Sequence, residues 1–418
     1  MKRVLVGSAV VLILLASLAL LVVDDAPAVP RPDAPDAGAP ERVVALRRAF
    51  AGVISGGADS ITLGREDFDA LFTVAAWLHP DVRGRASPSP SGLSVEVSLG
   101  APVPIARRWL NLRAVAAPSD EGVRLSRLSV GRLPLPATAA PGVAAAALDF
   151  FLGGDAFRSA LDSVARVDMT GESATVAFHA GETLETVLGG RTIERVRRRA
   201  FHSDAETLER HFAAQGAKAA REGSAADWIA HALLIAADGA DAGGEPRAEI
   251  EAALFALGLH CGTWRLHVVL GEPRRVRQAS RCRGLTLGGR VDLRQHFAVS
   301  AALHAASAAQ PAFSVGELKE LYDSRGGSGF SFDDIAANRA GIRFAQQMLA
   351  GGPADWRRAA AMMDHEAALF PAVSDLPAGL SEAAFVERFG ALDSAGYTAM
   401  LDVIERRVDA LPVLSADE

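Results

Sequence analysis

Residues 291–349 read VDLRQHFAVSAALHAASAAQPAFSVGELKELYDSRGGSGFSFDDIAANRAGIRFAQQML. Apolar residues recur in this stretch at spacings of three and four, which predicts three helices, the first over about residues 292–306. Ser314 is followed three residues later by Glu317, and Ser331 by Asp334. Each pair predicts a capping box at the start of a helix. We therefore expect a three-helix motif within a larger helical domain.

Each predicted helix carries one polar stripe on an otherwise apolar surface. The stripes consist of Asp292, His296, Ser300 and His304 on the first helix, Lys319, Glu320 and Asp323 on the second, and Asp334 and Asn338 with Gly341 on the third. Buried charges are tolerated when they are paired or bind a metal, so we expect the stripes to meet in one interior cluster. Gly341 would allow a neighbouring helix to approach closely.

The expected cluster has three interpretations, and its members are His296, Lys319, Glu320, Asp323, Asp334 and Asn338. In the first, it is a satisfied hydrogen-bond network that fixes the helix register and needs no cofactor. In the second, a divalent metal is bound and activates water, and the ligands are His296, Glu320, Asp323 and Asp334. In the third, the cluster contacts a polar ligand such as a lipid headgroup.

Two strings within this motif, DLRQHFAVSAAL and GELKELYDSRGGSGFSFDDIAANRAG, resemble the carboxyl-terminal part of an uncharacterised family of membrane-anchored proteobacterial proteins. More distantly, they are similar to small YfiM-type predicted envelope lipoproteins. The resemblance implies that the signature positions are His296, Lys319, Glu320, Asp323, Asp334 and Gly341, with Asn338 where an acidic residue would also be familiar. It implies a place in the cell envelope and brings no established activity.

Cys261 and Cys282 are the two cysteines of the chain. In an oxidising compartment such as the periplasm, this pair predicts a disulfide. A metal site with His260 and His267 is the alternative, although the spacing matches no standard zinc pattern.

The amino-terminal segment predicts a membrane anchor. Residues 4–23 form an uncharged apolar run behind Lys2 and Arg3. A helix of this length rises about 30 Å, enough to cross a bilayer. A cleaved signal peptide is the alternative, because Ala26 and Ala28 form a cleavage-like site. The positive-inside rule, with an arginine-rich and lysine-poor usage typical of a high-GC bacterium, predicts a single-pass inner-membrane protein with its carboxyl-terminal part in the periplasm.

The rest of the chain predicts a linker and two domains. Residues 24–41, rich in proline, alanine and aspartate, predict an extended tether. Residues 42–181 predict an α+β domain, and residues 182–418 a mainly helical one. In the first domain we expect helices at 42–53, 65–78, 143–152 and 156–164, strands at 93–99, 109–116 and 123–130, and a hairpin turn at 170–172.

Composition limits the function. With 43 basic and 50 acidic residues, the net charge is −7, which argues against a nucleic-acid binder. Two cysteines cannot make a four-thiolate zinc site. We predict an α+β protein with a transmembrane helix, an antiparallel-sheet domain and a helical domain. The expected function is a non-catalytic binding or scaffolding role in the envelope, with a lipid or cell-wall ligand. The alternative is a metal-dependent hydrolase that acts on an envelope substrate.

Overall fold

The computed structural model describes residues 22–54, 58–101, 108–136, 162–179, 205–218, 222–263, 284–306, 319–325 and 327–415, with the single positions Gly142, Ser203, Cys282 and Glu317. The chain divides into two compact units, residues 1–192 and residues 193–418. Antiparallel sheets and many helices are both present, so the predicted α+β class is confirmed.

Unit 1 combines helices with two antiparallel sheets. Its helices are α1 (Gly38–Ile54) and α2 (Arg65–Leu78), and its strands are β1 (Val23–Asp24), β2 (Ser60–Gly64), β3 (Val82–Ser89), β4 (Gly92–Ala101), β5 (Arg108–Ala117), β6 (Arg124–Val130), β7 (Leu133–Leu135), β8 (Val164–Thr170) and β9 (Ser173–Phe178). The larger sheet has the order β3-β4-β5-β6-β7, and β1 pairs with the start of β5. The smaller sheet has the order β2-β9-β8.

The strands predicted at 93–99 and 109–116 lie within β4 and β5, the one predicted at 123–130 begins one residue before β6, and α2 has the predicted bounds. Strand β3 was not predicted, because its sequence VRGRASPS lacks apolar alternation, yet it pairs with β4 along its whole length. Pro134 lies in β7, the last strand of the sheet order, where a missing backbone donor is tolerated. The expected turn at 170–172 joins β8 to β9.

The core of unit 1 lies between the helices and both sheets. Leu46 of α1, Phe68 of α2 and Ala174 of β9 are buried in one cluster. The ring of Phe72 lies on the backbone of Gly84, where an added Cβ would be 2.1 Å from the ring. A side chain at residue 84 would therefore separate α2 from β3.

Residues 24–37, predicted as part of an extended tether, pack against the larger sheet of unit 1. The backbone N–H groups of Ala28 and Val29 donate to Ser98 Oγ, at 3.0 and 3.1 Å. The Asn111 side chain donates to Asp24 Oδ2, at 2.8 Å. Val29 is buried, and the last residues of the predicted linker belong to α1. A Pro-rich composition predicted no partner for this segment, but the buried Ser98 and Asn111 side chains provide one.

Unit 2 is mainly helical. Its helices are α3 (Ala205–Ala217), α4 (Ala226–Asp241), α5 (Pro246–Leu257), α6 (Val291–Ala306), α7 (Phe332–Ala350), α8 (Pro353–Met362), α9 (Glu382–Phe389) and α10 (Ala395–Asp409). A short π-helix, Gly258–Gly262, continues α5, and strands β10 (Gly223–Ser224) and β11 (Leu285–Thr286) form a parallel pair. Residues 319–323 are also helical.

Aromatic side chains pack together in the core of unit 2. Phe330, Phe332 and Phe385 are buried and in mutual ring contact with Tyr397 of α10. Phe297 of α6 meets Phe344 of α7 with ring centroids 5.5 Å apart. Contacts of this kind add about 1 kcal/mol each to the burial of the rings themselves. They hold α6 and α7 at a fixed register, which places the polar residues between them.

In the part of the chain that the structure describes, no helix is long and apolar enough to cross a membrane. The predicted span, residues 4–23, lies outside the described residues except for its last two positions. Val23 is not helical but pairs with Leu110 in β1. Also outside the described residues are the expected helix at 143–152, positions 156–161 of the helix expected at 156–164, and Ser314 of the first predicted capping box. The end of the second of these helices was predicted wrongly, because Val164 is the first residue of β8.

Candidate functional site

The polar stripes of α6 and α7 face each other because the two helices approach closely. A Cβ added at Gly341 of α7 would lie 2.2 Å from the carbonyl oxygen of Phe297 on α6. The close approach predicted from Gly341 is therefore present. It brings His296 and Ser300 of α6 within hydrogen-bond distance of Asn338 on α7.

Three of the predicted residues come together in the interior of unit 2. His296, Glu320 and Asp334 each offer one ligand atom, and these atoms lie within 4.8 Å of one another. We refer to these residues as the three-helix cluster, because they come from α6, from residues 319–323 and from α7. Glu320 is fully buried, Asp334 is 4% exposed, and the His296 side chain is 12% exposed. His296 Nε2 lies 3.3 Å from Asp334 Oδ2.

Two carboxylate oxygens of this cluster lack a hydrogen-bond partner among the described residues. They are Glu320 Oε2 and Asp334 Oδ1. Arg290 Nη2 is 3.9 Å from Asp334 Oδ1, which is beyond hydrogen-bond distance. Buried carboxylate oxygens are costly to leave without a partner, so this point can accept a proton, a water or a cation.

Burial changes the acidity of Glu320. Removal from water, together with the nearby charge of Asp334, raises its pKa to about 7 against the opposing charge of Lys319. Near pH 7, Glu320 is therefore present in both its charged and its protonated form. A bound cation would favour the charged form.

The pKa of His296 shifts in the direction opposite to that of most buried histidines. Burial alone lowers it, but the hydrogen bond and the charge of Asp334 outweigh burial and raise the pKa above its usual value. The raised pKa extends the pH range of the imidazolium form, in which Nε2 can donate to Asp334.

Lys319 and Asp323 form the edge of the cluster nearest to solvent. Lys319 Nζ lies 2.7 Å from Asp323 Oδ2 and 3.0 Å from Glu320 Oε1. The Lys319 side chain is 47% exposed. Asp323, the fourth expected ligand, lies outside the group of ligand atoms that could hold a metal. Its carboxylate is held by Lys319, one helical turn before it.

The capping box expected at Ser331 does not form. Ser331 is the N-cap of α7, as predicted, but its side chain makes no cap hydrogen bond. Its hydroxyl accepts from the backbone N–H of Gly379 instead, at 3.0 Å. The carboxylate of Asp334 faces the three-helix cluster and not the helix start.

Two further residues beside the cluster, Arg290 and Asp333, were not predicted from the sequence. Arg290 donates to Asp292 Oδ2, at 2.6 Å, and to Asp333. Burial and the charge of Asp334 raise the pKa of Asp333, and Arg290 opposes this. Arg290 precedes α6 in a turn, so helical periodicity carried no signal for it. His304, the last residue of the predicted stripe, is not among the cluster's ligand residues.

A second buried histidine–carboxylate pair lies between α3 and α5. His211 Nε2 is 2.6 Å from Glu249 Oε2, and Arg210 Nη2 donates to Glu249 Oε1 at 2.5 Å. Gly239 and Gly244 leave room for the carboxylate, because a Cβ at either position would be 2.3 Å from it. The sequence carried one signal for this site, a glutamate within the apolar run of α5.

The disulfide predicted from the cysteine count is confirmed. Cys261 and Cys282 are bonded, with Cα atoms 4.9 Å apart. Cys261 lies in the π-helix that continues α5, and Cys282 lies ahead of β11 and α6. The side chain of Arg294, on α6, donates to the carbonyl oxygen of Cys282. The cross-link therefore joins the helix of Glu249 to the region that begins the helix of His296.

Unit 2 also has an open cleft, with a volume of about 660 Å³. Its charged and polar lining residues are Lys218, Glu222, Ser224, Asp227, His231, Asp364 and Glu366. Glu366 accepts from Ser224 Oγ and, at 2.7 Å, from the backbone N–H of Gly288. Burial, followed by the charge of Lys218, lowers the pKa of His231, which is therefore neutral near pH 7. The cleft is large enough for a small organic ligand.

No protein-family model, no curated protein and no solved structure matches this chain.

Proposed function

We propose that the protein is a non-catalytic binding or scaffolding protein of the bacterial envelope. In this proposal, residues 4–23 anchor the chain in the inner membrane and the remainder lies in the periplasm. The Cys261–Cys282 disulfide supports it, because such bonds persist in oxidising compartments. The resemblance of residues 290–349 to membrane-anchored envelope proteins belongs to the same proposal.

The observation that favours binding over catalysis is the difference in access between the two polar features of unit 2. Glu320 is fully buried and Lys319 lies against its Oε1, so the cluster offers little surface to a substrate. The cleft is open and of ligand size. A ligand would therefore bind in the cleft, while the buried residues stabilise the helices.

The charges of the cleft favour a cell-wall ligand over an anionic lipid headgroup. Among the described residues, four carboxylates and one lysine, Lys218, line the cleft. Lys218 is already paired with Asp227, at 2.8 Å. Because an anion would be repelled here, we expect a ligand with a free amine, such as the peptide part of a cell-wall fragment.

Titration of the purified full chain with soluble cell-wall fragments tests this function. Ala230 lines the cleft, so Ala230→Trp should fill it and weaken binding at least about tenfold. Ala361→Trp, at an exposed position of α8 that does not line the cleft, is the matched control and should bind normally. The proposal fails if wild type does not bind these fragments, or if both variants bind equally well.

A metal-dependent hydrolase is the second candidate, and the ligand set His296, Glu320 and Asp334 favours it. A metal ion in such a site supplies a water of lowered pKa. Release of soluble fragments from isolated cell walls, lost in Glu320→Gln, would establish hydrolysis. Binding without release would leave the non-catalytic function in place.

Cell fractionation tests the proposed location. The full chain should remain with inner membranes after alkaline carbonate extraction, and protease added to spheroplasts should digest its carboxyl-terminal part. Recovery of the intact chain in the cytosolic fraction would contradict the proposal.

A further inference from the structure

The three-helix cluster has the features of a cation site rather than of a closed network. Glu320 is fully buried and its Oε2 has no hydrogen-bond partner in the described part of the chain, and the same holds for Asp334 Oδ1. A closed network would leave neither oxygen without a donor. Both residues belong to the group whose ligand atoms converge.

The ligand atoms of the cluster lie close to the spacing that they would have around one small ion. In a tetrahedral zinc site with bonds of about 2.1 Å, neighbouring ligand atoms lie about 3.4 Å apart. The ligand atoms of His296, Glu320 and Asp334 are within 4.8 Å of one another. His296 Nε2 and Asp334 Oδ2, 3.3 Å apart, already have this spacing. The longest separation in the cluster has to shorten by at most about 1.4 Å for all three residues to surround one ion.

Asn338 and Ser300 orient His296 for this role. Ser300 Oγ donates to Asn338 Oδ1 at 2.8 Å, and the same oxygen is 3.1 Å from His296 Nδ1. An amide oxygen can only accept, so Nδ1 carries a proton, and Nε2 is the nitrogen that faces Asp334 and can bind a metal once it is deprotonated. Metal-binding histidines usually donate their second N–H to an oxygen in this way.

The excess of negative charge around the cluster also favours the binding of a cation. The carboxylates linked by ion pairs at this point are Asp292, Glu320, Asp323, Asp333 and Asp334. Among the described residues, the permanent cations that face them are Lys319 and Arg290. With His296 neutral and all five carboxylates charged, the state that a bound cation favours, negative charge is in excess by three, and a divalent ion would reduce this excess to one.

We propose that His296 Nε2, Glu320 Oε2 and Asp334 bind one divalent transition-metal ion, with Zn²⁺ as the best match. One imidazole and two carboxylates favour zinc over calcium or magnesium, which prefer oxygen ligands alone. Lys319 stays on Glu320 Oε1, so it neutralises the carboxylate without occupying the ligand oxygen. The ion would join α6, residues 319–323 and α7.

This inference concerns the ion and not the reaction, so it goes beyond the proposed function and holds whether or not the protein is catalytic. Its failure would leave ligand binding in the cleft untouched. Failure of cleft binding would in turn leave the metal site untouched. The two experiments are therefore independent.

Metal analysis of the full chain, stripped with a chelator and then dialysed against Zn²⁺ with the disulfide intact, tests the proposal. We expect one zinc per chain and a rise in the melting temperature that Mg²⁺ does not produce. Glu320→Gln and His296→Ala should lower zinc affinity at least about 100-fold, measured by competition with a chromophoric chelator. Asn338→Ala, which removes the oxygen that orients His296, should lower it about 10–100-fold.

Asp323→Asn is the matched control, because this neighbouring carboxylate is held by Lys319 and should be dispensable for zinc. Far-UV circular dichroism shows whether each variant is folded. Asn338→Asp should retain zinc, because a carboxylate also accepts from Nδ1. The proposal is overturned if folded wild type binds no zinc, if Glu320→Gln binds it as tightly as wild type, or if Asp323→Asn loses it.

Discussion

The described part of unit 2 contains two buried histidine–carboxylate sites that differ in how many hydrogen-bond donors the carboxylates have. At the first, Glu249 accepts from His211 with one oxygen and from Arg210 with the other. At the three-helix cluster, one oxygen of Glu320 and one of Asp334 have no hydrogen-bond partner in the described residues. Gly239 and Gly244 enclose Glu249, whereas Lys319 leaves the cluster with a partly exposed edge.

The two sites show that residue type alone does not make a ligand site. A carboxylate that already has both donors is structural, because a ligand would have to replace good hydrogen bonds. A carboxylate with a buried oxygen left over can gain energy from a cation. The histidines follow the same division: burial lowers the pKa of His211 despite Glu249, whereas Asp334 raises that of His296 despite burial.

Loss of the disulfide should have the largest effect, because it joins regions that lead to both sites. The bonded residues are 21 apart in sequence, and closing such a loop stabilises a fold by about 3 kcal/mol. We expect this loss in urea unfolding when wild type is reduced. The double variant Cys261→Ser with Cys282→Ser should not respond to the reductant. An unchanged unfolding midpoint of reduced wild type would contradict the prediction.

Matched substitutions of the two glutamates compare the sites directly. Glu249→Gln should cost about 2 kcal/mol, since a neutral amide cannot satisfy both Arg210 and His211. Glu320→Gln in metal-free protein should cost less than about 1 kcal/mol, because a neutral side chain resembles the protonated form that burial favours. Chemical unfolding measures both values. Equal losses would mean that the two carboxylates are satisfied to the same degree.

Gly341→Ala should damage the three-helix cluster through the backbone. Its Cβ would lie 2.2 Å from the Phe297 carbonyl oxygen, so α6 and α7 would have to separate, at a cost of about 1–2 kcal/mol. Zinc affinity should fall with the stability. Gly352→Ala is the control, because nothing lies within 4 Å of an added Cβ there. If Gly341→Ala is as stable as wild type, the close approach of the two helices is not required.

The smallest expected effect is the pH dependence of the unfolding free energy that arises from the His211–Glu249 pair. Because the pKa of His211 is lowered in the folded protein, the unfolded chain binds more protons once the pH falls below about 6.5. This histidine's contribution to stability is therefore present above that pH and is lost as the pH falls.

The comparison of wild type with His211→Gln isolates this contribution, since the amide can still donate to Glu249 and does not titrate. The difference in their unfolding free energies should shrink as the pH is lowered through about 6.5, where a histidine in the unfolded chain gains its proton. A difference that is constant with pH, or that grows at low pH, would contradict the assignment.

Local sequence patterns alone predicted several of the helices and strands of this protein. Alternating side chains predicted β4, helical spacing predicted α2, and Ser331 predicted the start of α7, since each depends on neighbours within one or two turns. The cysteine count predicted the disulfide. The polar stripes of the predicted helices singled out His296, Glu320 and Asp334 from the sequence alone.

Tertiary structure decided which of these residues meet. It brought Asn338 to His296 through the contact of Gly341 with Phe297, and it left Asp323 with Lys319. The tertiary structure also paired His211 with Glu249, 38 residues away in sequence. In unit 1 it covered Ser98 and Asn111 with a segment that the composition alone predicts to be a tether. Such pairings depend on how helices and sheets pack, and periodicity within one element carries no information about the element that it will face.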